Sequence, residues 1–173
     1  GGTGLAVQNA NFELAIISEP ATATAPLSWL AVAGEIGKAD LRGIDGVTAI
    51  ARNVTFRFNG AATDAAMVST KLEWSAISDF DGTRIGTIDA TLDLSFGGEI
   101  ELNIQDNVLV AAGFSGTIQT VSNVTDGAGI TVAQAQLIQF NLSNAYLFIG
   151  DGGAFTRDGD LADGAVIGIS DQG

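Results

Sequence analysis

The fold is decided by residues 85–96, which read IGTIDATLDLSF. From position 86 onward the even positions hold Gly, Ile, Ala, Leu, Leu and Phe, whereas the odd positions hold Thr, Asp, Thr, Asp and Ser. An alternation of period two is typical of a β-strand with one face in a core and the other in water. This stretch therefore predicts a half-buried strand.

The next stretch repeats the alternation. Residues 100–104 place Ile, Leu and Ile at even positions, with Glu and Asn between them. If the two strands belong to one sheet, a two-residue turn would bring an acidic side chain onto the apolar face. A three-residue turn over 97–99 instead pairs Phe96 with Ile100 and keeps that face continuous. We therefore expect a hairpin with a bulged three-residue turn.

A second hairpin is indicated by the dipeptide Asp45-Gly46, which favours a type I′ turn. That turn pairs Leu41 with Ile50 and leaves Arg52 on the apolar face. Two explanations are open: the arginine extends its aliphatic stem toward water, or the strand carries a β-bulge near this point.

Turn-forming pairs of Asp, Asn and Gly separate further runs that are rich in Val, Ile, Thr and Phe. The segment 132–140 would also suit a helix, but its glycine-rich and β-rich flanks favour a strand. We expect an all-β domain over residues 1–173, an antiparallel β-sandwich or barrel-like meander of about nine or more strands. The predicted strands are 5–17, 28–44, 47–58, 66–75, 84–96, 100–105, 108–124, 130–149 and 164–169.

The composition excludes several function classes. The chain has 7 basic and 20 acidic side chains, a formal net charge of −13, and neither Cys nor His. The few basic residues are dispersed, which argues against nucleic acid and anionic membrane surfaces. Disulfide frameworks, thiolate or imidazole zinc sites, Ser-His-Asp triads and cysteine nucleophiles are excluded outright. We expect no enzymatic activity. We also expect no membrane insertion, because glutamines and asparagines interrupt the uncharged run 127–150.

Both ends of the sequence are glycine-rich, and the first residues carry neither a basic nor an apolar leader. Joining the last residues to the first would give a natural strand-loop-strand passage. We therefore expect a mature or excised module, such as one unit of a tandem array.

Four segments carry a resemblance: residues 5–17, 28–32, 41–47 and 158–173. Together they resemble repeat modules of very long, Gly/Asp-rich bacterial surface or secreted proteins of the adhesin type. The resemblance covers most of the chain in style, without a single diagnostic motif. It implies an extracellular, structural or adhesive role, and it supplies no site residues.

The densest acidic cluster lies near the end of the chain and is a candidate calcium site. Calcium prefers six to eight oxygen ligands, and acidic side chains on a glycine-bent loop can direct several of them at one point. The spacing matches neither an EF-hand loop nor the nonapeptide of β-roll proteins. The alternative is a solvated loop in which Asp and Gly satisfy turn geometry. The predicted ligands are Asp151, Asp158, Asp160 and Asp163.

Two further groups of residues are candidate sites. Asp89, Asp93 and Glu101 invite comparison with the carboxyl pairs of glycosidases, but a charged sheet face that keeps the protein soluble explains them better. Trp29 and Trp74 could present rings to a carbohydrate, whereas the phenylalanines at inward positions suit core packing.

Taken together, the sequence predicts a non-enzymatic extracellular β-module that assembles end to end in a bacterial surface fibre or giant repeat protein, with calcium as an additional stabiliser. Its expected partners are copies of itself or neighbouring modules. The alternative is a carbohydrate- or ligand-binding module of a secreted protein, with a glycan as partner.

Overall fold

The computed structural model describes residues 2–20, 23, 26–63, 69–151, 153–155 and 167–169. Its main feature is a six-stranded antiparallel sheet with the strand order β1-β2-β3-β6-β7-β8. The sheet strands are β1 (Gly4–Ser18), β2 (Ser28–Arg42), β3 (Val47–Gly60), β6 (Leu92–Ile104), β7 (Val108–Thr125) and β8 (Thr131–Ile149). Two short ribbons pair β4 (Ala62–Thr63) with β5 (Ser69–Thr70), and β9 (Gly153–Phe155) with β10 (Ile167–Ile169).

The predicted all-β class is confirmed, and the strands of the main sheet form an antiparallel meander. The predicted sandwich or barrel of about nine or more strands is not seen among the described residues, whose main sheet has six strands. Segment 132–140, for which a helix was the alternative, lies inside β8. The six-stranded sheet is open, with β1 and β8 at its two edges. In the part of the chain that the structure describes, no helix is long and apolar enough to cross a membrane.

The predicted turn at 97–99 is wrong, because β6 runs without interruption from Leu92 to Ile104. A straight strand satisfies the same parity, since the even positions from 94 to 104 all fall on one face. The glycines have a packing role instead. A Cβ on Gly98 would lie 3.0 Å from the carbonyl oxygen of Arg52 and 3.1 Å from the Cα of Val54.

The strand predicted over 66–75 and the first part of the strand predicted over 84–96, up to residue 91, are also corrected. Apart from the two residues of β5, the described part of these segments forms a cap of loops and 3₁₀ turns over one end of the sheet. Its turns are Trp74–Ala76, Ser78–Phe80 and Ile85–Thr87. The apolar side chains of the cap pack on the first two strands and form a small core. That core contains Ala15, Ala31, Ala33, Trp74, Ile85, Ile88 and Leu92.

The second hairpin forms, but its register differs by one residue from the prediction. Leu41 pairs with Ala49 rather than with Ile50. Gly43 and Gly46 have positive φ and Asp45 does not, so the connection is a longer loop rather than a two-residue type I′ turn.

The strand is bulged beside Arg52, as one of the two explanations proposed. The register between β3 and β6 shifts between Arg52 and Thr55, and Asn53 has a φ of 50°. Asn9 in β1 and Asn144 in β8 have similar φ values of 54° and 48°. An asparagine in this left-handed region reverses the alternation of the side chains that follow it. Each strand therefore keeps its apolar side chains on one face although the parity of its sequence changes midway.

Candidate functional site

The two faces of the sheet differ in charge. Side chains that are directly opposite one another in the register share a face. Four rows of such residues cross one side of the sheet, which we call the apolar face, and none of them is charged. These rows are Leu14, Val32, Phe58, Leu94, Ile118 and Ile138; Phe12, Gly34, Phe56, Phe96, Gly116 and Phe140; Val7, Ala39, Ala51, Ile100 and Ala112; and Leu5, Leu41, Ala49, Leu102, Val110 and Leu147.

The second of these rows alternates aromatic rings with glycine. The rings of Phe12 and Phe56 are 5.8 Å apart between centroids, and both lie over Gly34. A Cβ on that glycine would be 2.8 Å from ring atoms of both phenylalanines. The ring of Phe96 covers Gly116 in the same way. The glycines thus let large rings lie down across the strands, which leaves the apolar face smooth.

This face is largely open to solvent in a single chain. The exposed fractions are 61% for Phe12, 64% for Leu14, 67% for Ile138 and 63% for Phe140. The four rows span about ten residues of each strand, and six strands at about 4.8 Å spacing with about 3.3 Å per residue give an area of roughly 900 Å². Monomeric proteins rarely expose a contiguous apolar patch of more than about 300–600 Å². The size of this patch marks it as an interaction surface.

The opposite side, the polar face, carries the ion pairs of the sheet. Arg84 of the cap contacts Glu13 of β1 at 3.2 Å and Glu35 of β2 at 2.8 Å. The backbone N–H groups of Arg84 and Ile85 also donate to Glu13. Hydrogen bonding to the Arg84 guanidinium, helped by Asn11, lowers the pKa of Glu35. The pairs fasten the cap to the first two strands.

Charged residues occupy the other half of the polar face as well. Arg42 and Lys38 contact the carboxylate of Asp40 at 2.8 Å and 3.0 Å. Hydrogen bonds from these two cations lower the pKa of Asp40, with Arg42 the larger cause. Arg52 lies 3.7 Å from Glu101. The charge of the strands is therefore concentrated opposite the apolar face.

A buried asparagine joins the cap to the sheet. Asn59 is 2% exposed, and its amide donates to the carbonyl oxygens of Leu72 at 3.0 Å and Asp89 at 2.9 Å. Its carbonyl oxygen accepts from the indole N–H of Trp74 at 2.9 Å. One side chain thus satisfies three polar groups of the cap.

The calcium prediction falls mostly outside the described residues. Asp151 is exposed, whereas Asp158, Asp160 and Asp163 lie outside the described residues. Within the described residues no group of three or more acidic side chains is arranged to hold a metal ion. Calcium binding by this cluster stays a prediction.

The second acidic group does not assemble as a whole, because Glu101 lies far along β6 from Asp93. Asp89 lies in the cap and accepts hydrogen bonds from Thr91. Asp93 forms an ion pair with Lys71. Glu101, eight residues farther along β6, is about 27 Å away from Asp93 at the rise of a strand. Glu101 is therefore too far from Asp93 to form a carboxyl pair of the glycosidase type with it.

The tryptophans do not form a stacking platform. Trp74 is completely buried and packs edge-on against Phe80 with centroids 5.4 Å apart. Trp29 is half-buried and donates its indole N–H to the carbonyl oxygen of Thr70 at 3.2 Å. The interpretation of Trp74 as a surface ring is therefore wrong.

The two edges of the sheet are long. β8 spans 19 residues without a charged residue or a proline, and β1 spans 15 residues with Glu13 as its one charged residue. Proteins usually protect such edges with charges, prolines or short strands. Neither edge pairs with another strand among the described residues.

Comparison of the chain with protein-family models, curated proteins and solved structures gave no match. Sequence reasoning left two covers open for the apolar residues around 108–114, another sheet or a neighbouring subunit, and it did not predict that the apolar face extends over all six strands. The signal for it was present: β7 and β8 contain no charged residue over their full length.

Proposed function

We propose that this protein is a non-enzymatic structural module of a bacterial surface or secreted fibre, in which the sheet of one copy continues into the sheet of the next. The observation that carries this proposal is the pair of open, almost uncharged edges, β1 and β8. An unprotected edge presents unpaired N–H and C=O groups and is a template for strand addition.

The direction of the strands suits such continuation. In a sheet of six antiparallel strands, β1 and β8 run in opposite directions. When the β1 of a second copy lies beside β8, the pair is therefore antiparallel with both copies in the same orientation. The apolar faces of all copies then lie on the same side. The contact joins two different surfaces, so it does not close on itself and propagates into a filament.

The two edges also match row by row. Phe12 on β1 and Phe140 on β8 end the same row of the apolar face. Each edge then has one left-handed asparagine, Asn9 and Asn144, before the next apolar rows begin. Placing Phe140 beside Phe12 brings Leu142 opposite Ala10 of the neighbouring copy.

A cross-linking experiment tests this register, because the chain has no native cysteine. The double variant Ala10→Cys/Leu142→Cys, oxidised under mild conditions, is expected to give a ladder of covalent oligomers on a non-reducing gel. Cysteines at opposite positions of neighbouring strands lie within the roughly 4.4–6.8 Å Cα separation that a disulfide needs. Each single variant carries one half of the contact and is expected to give no ladder.

A mismatched pair is the control for register. Leu5→Cys/Leu142→Cys places the two cysteines about five residues apart along neighbouring strands and is expected to give no ladder above the single variants. Equal ladders from both pairs would contradict the proposed register. No ladder from either pair, together with the absence of filaments in electron micrographs, would overturn the proposed function.

Calcium is proposed as an additional stabiliser, through Asp151, Asp158, Asp160 and Asp163. A weak extracellular site of about 10⁻⁴–10⁻³ M affinity, filled at about 100 times its Kd, raises the free energy of unfolding by about 2.7 kcal/mol. The melting temperature of chelator-treated protein should rise on addition of calcium, and this rise should be lost in Asp158→Asn/Asp160→Asn. An unchanged melting temperature in the parent protein removes calcium from the proposal without affecting the edges.

A further inference from the structure

We infer that the apolar face is covered by the apolar face of a second copy of this chain, so that two sheets form a β-sandwich between molecules. This contact is distinct from the edge contact proposed above and does not depend on it. It supplies the second layer that the sequence predicted and that the described residues do not contain.

The apolar face has enough area for a stable interface with a second copy. The apolar face presents roughly 900 Å² per chain, estimated from strand spacing and rise. A stable protein interface needs about 800 Å² from each partner. A face of this size on each copy is therefore sufficient for a specific dimer. The small core under the cap buries none of this face, so without a partner its exposed rings remain in water.

The distribution of charge between the two faces of the sheet also favours face-to-face pairing. The chain has a net charge of −13, which opposes association of identical molecules unless their charges stay apart. None of the four rows that define the apolar face carries a charge. The ion pairs of Glu13, Glu35, Asp40 and Glu101 lie on the polar face. Face-to-face pairing places these charges on the two outer surfaces of the dimer, where water screens them.

The shape of the apolar face suits packing against a second sheet. Two packed sheets stand about 10 Å apart, so each must present a layer of side chains without large projections. The rings of Phe12 and Phe56 lie across Gly34, and the ring of Phe96 lies across Gly116. At one end the face is closed by Ser18 and Ser28, whose hydroxyls are 2.7 Å apart. An apolar centre with a polar margin is the usual anatomy of a protein interface.

The test is the association state of the parent chain and of two matched lysine variants, measured by sedimentation in detergent-free buffer. Ile100→Lys places a charge at a 40% exposed position on the apolar face of the central strand β6. Thr55→Lys places the same charge at an exposed position on the polar face of β3. We expect paired sheets, as dimers or as filaments built from dimers, for the parent chain and for Thr55→Lys. We expect the dissociation constant of Ile100→Lys to rise by at least about 100-fold, because a lysine would be buried without a partner.

Cysteine labelling keeps the inference testable if Ile100→Lys does not fold. In the dimer, Cys in the variant Ile100→Cys should react with a maleimide at least about tenfold more slowly than Cys in Thr55→Cys, since the first lies in a closed interface. Dilution below the dissociation constant should bring the first rate up to the second. Far-ultraviolet circular dichroism checks that each variant retains its sheet.

The outcomes separate the two proposals. A monomeric parent chain in which both cysteines react at similar rates would overturn the face-to-face dimer. Protection of Ile100→Cys that appears only when phosphatidylcholine vesicles are added would also overturn it, in favour of a lipid-covered face. Dimers without the Ala10/Leu142 ladder would leave the face-to-face contact standing and remove the edge contact, and the reverse result would do the opposite.

Discussion

Replacing Asn59 by leucine should release the cap from the sheet. The asparagine is 2% exposed and bonds three polar groups of the cap: the carbonyl oxygens of Leu72 and Asp89 and the indole N–H of Trp74. Leucine has nearly the same shape but offers no hydrogen bond. The variant Asn59→Leu therefore isolates the polar contribution at this position.

The expected loss follows from the burial of the three partners. A buried group left without a hydrogen bond costs about 1–3 kcal/mol. Leu72 is half-buried and Asp89 exposed, so water can reach their carbonyl groups and each contributes about 1 kcal/mol. The Trp74 indole is completely buried, so its N–H contributes about 2 kcal/mol. The free energy of unfolding should fall by about 4 kcal/mol in total.

Urea denaturation at one fixed protein concentration measures this loss, because association would otherwise alter the apparent stability. Tryptophan fluorescence follows the cap, since Trp29 and Trp74 both lie at its contact with the sheet. The control is Asn141→Leu at an exposed position of β8, where a change within about 0.5 kcal/mol is expected. If Asn59→Leu does not fold, Trp74→Phe removes one of the three bonds and should cost about 2 kcal/mol. A loss below about 1 kcal/mol for Asn59→Leu, or one equal to the control, would refute the reasoning.

Three further predictions concern single positions. In thermal melts, Asn53→Val should lower the unfolding free energy by about 1–2 kcal/mol, because a β-branched residue is strained at positive φ. Asn53→Gly should change it by no more than about 0.5 kcal/mol. Equal melting temperatures for the two variants would contradict this. Gly98→Ala should lower the free energy of unfolding, measured by chemical denaturation, by about 1–3 kcal/mol, because its Cβ would be 3.0 Å from a backbone oxygen of the neighbouring strand. The control is Gly4→Ala, whose Cβ would have open space around it. The lowered pKa of Asp40 beside Arg42 means that its stabilising effect is present above the unfolded-state pKa of about 3.9 and is lost as the pH falls through the lower folded-state pKa. The stability difference between the parent protein and Asp40→Asn should therefore be larger at pH 6 than at pH 2.5, and a difference independent of pH would argue against the ion pair.

The sequence predicted the strands well where long runs rich in apolar and β-branched residues lie between turn signals. The strands near 5–17, 108–124 and 130–149 agree with β1, β7 and β8 to within about two residues. The sequence-based prediction failed where a glycine or an isoleucine is compatible with more than one local structure. Gly98 was interpreted as part of a turn, but it allows the close approach of a bulged neighbour. Ile85 and Ile88 fit an alternation only in part, and their spacing of three residues suits the 3₁₀ turn that they form.

The position of the bulges could not be predicted from local sequence. Many asparagines occur in the chain, and nothing in the residues beside Asn53 marks it as left-handed. The clue was indirect: Arg52 conflicted with the apolar parity of its strand. The calcium prediction is not tested by the structure, because three of its four acidic residues lie outside the described ranges. The interaction surface was missed because an apolar alternation reports which side chains avoid water, without reporting which molecule covers them.

The bulge at Asn53 also determines which length changes the gene can accept. Removing Asn53 alone would shift every residue on one side of it by a single step, so Thr48, Ile50 and Arg52 would exchange sides with Val47, Ala49 and Ala51. Arg52 would then place its cation on the apolar face of the sheet. A codon deletion there should be far more damaging than any substitution at the same codon. A codon inserted into the 43–46 loop, by comparison, would only lengthen an exposed connection.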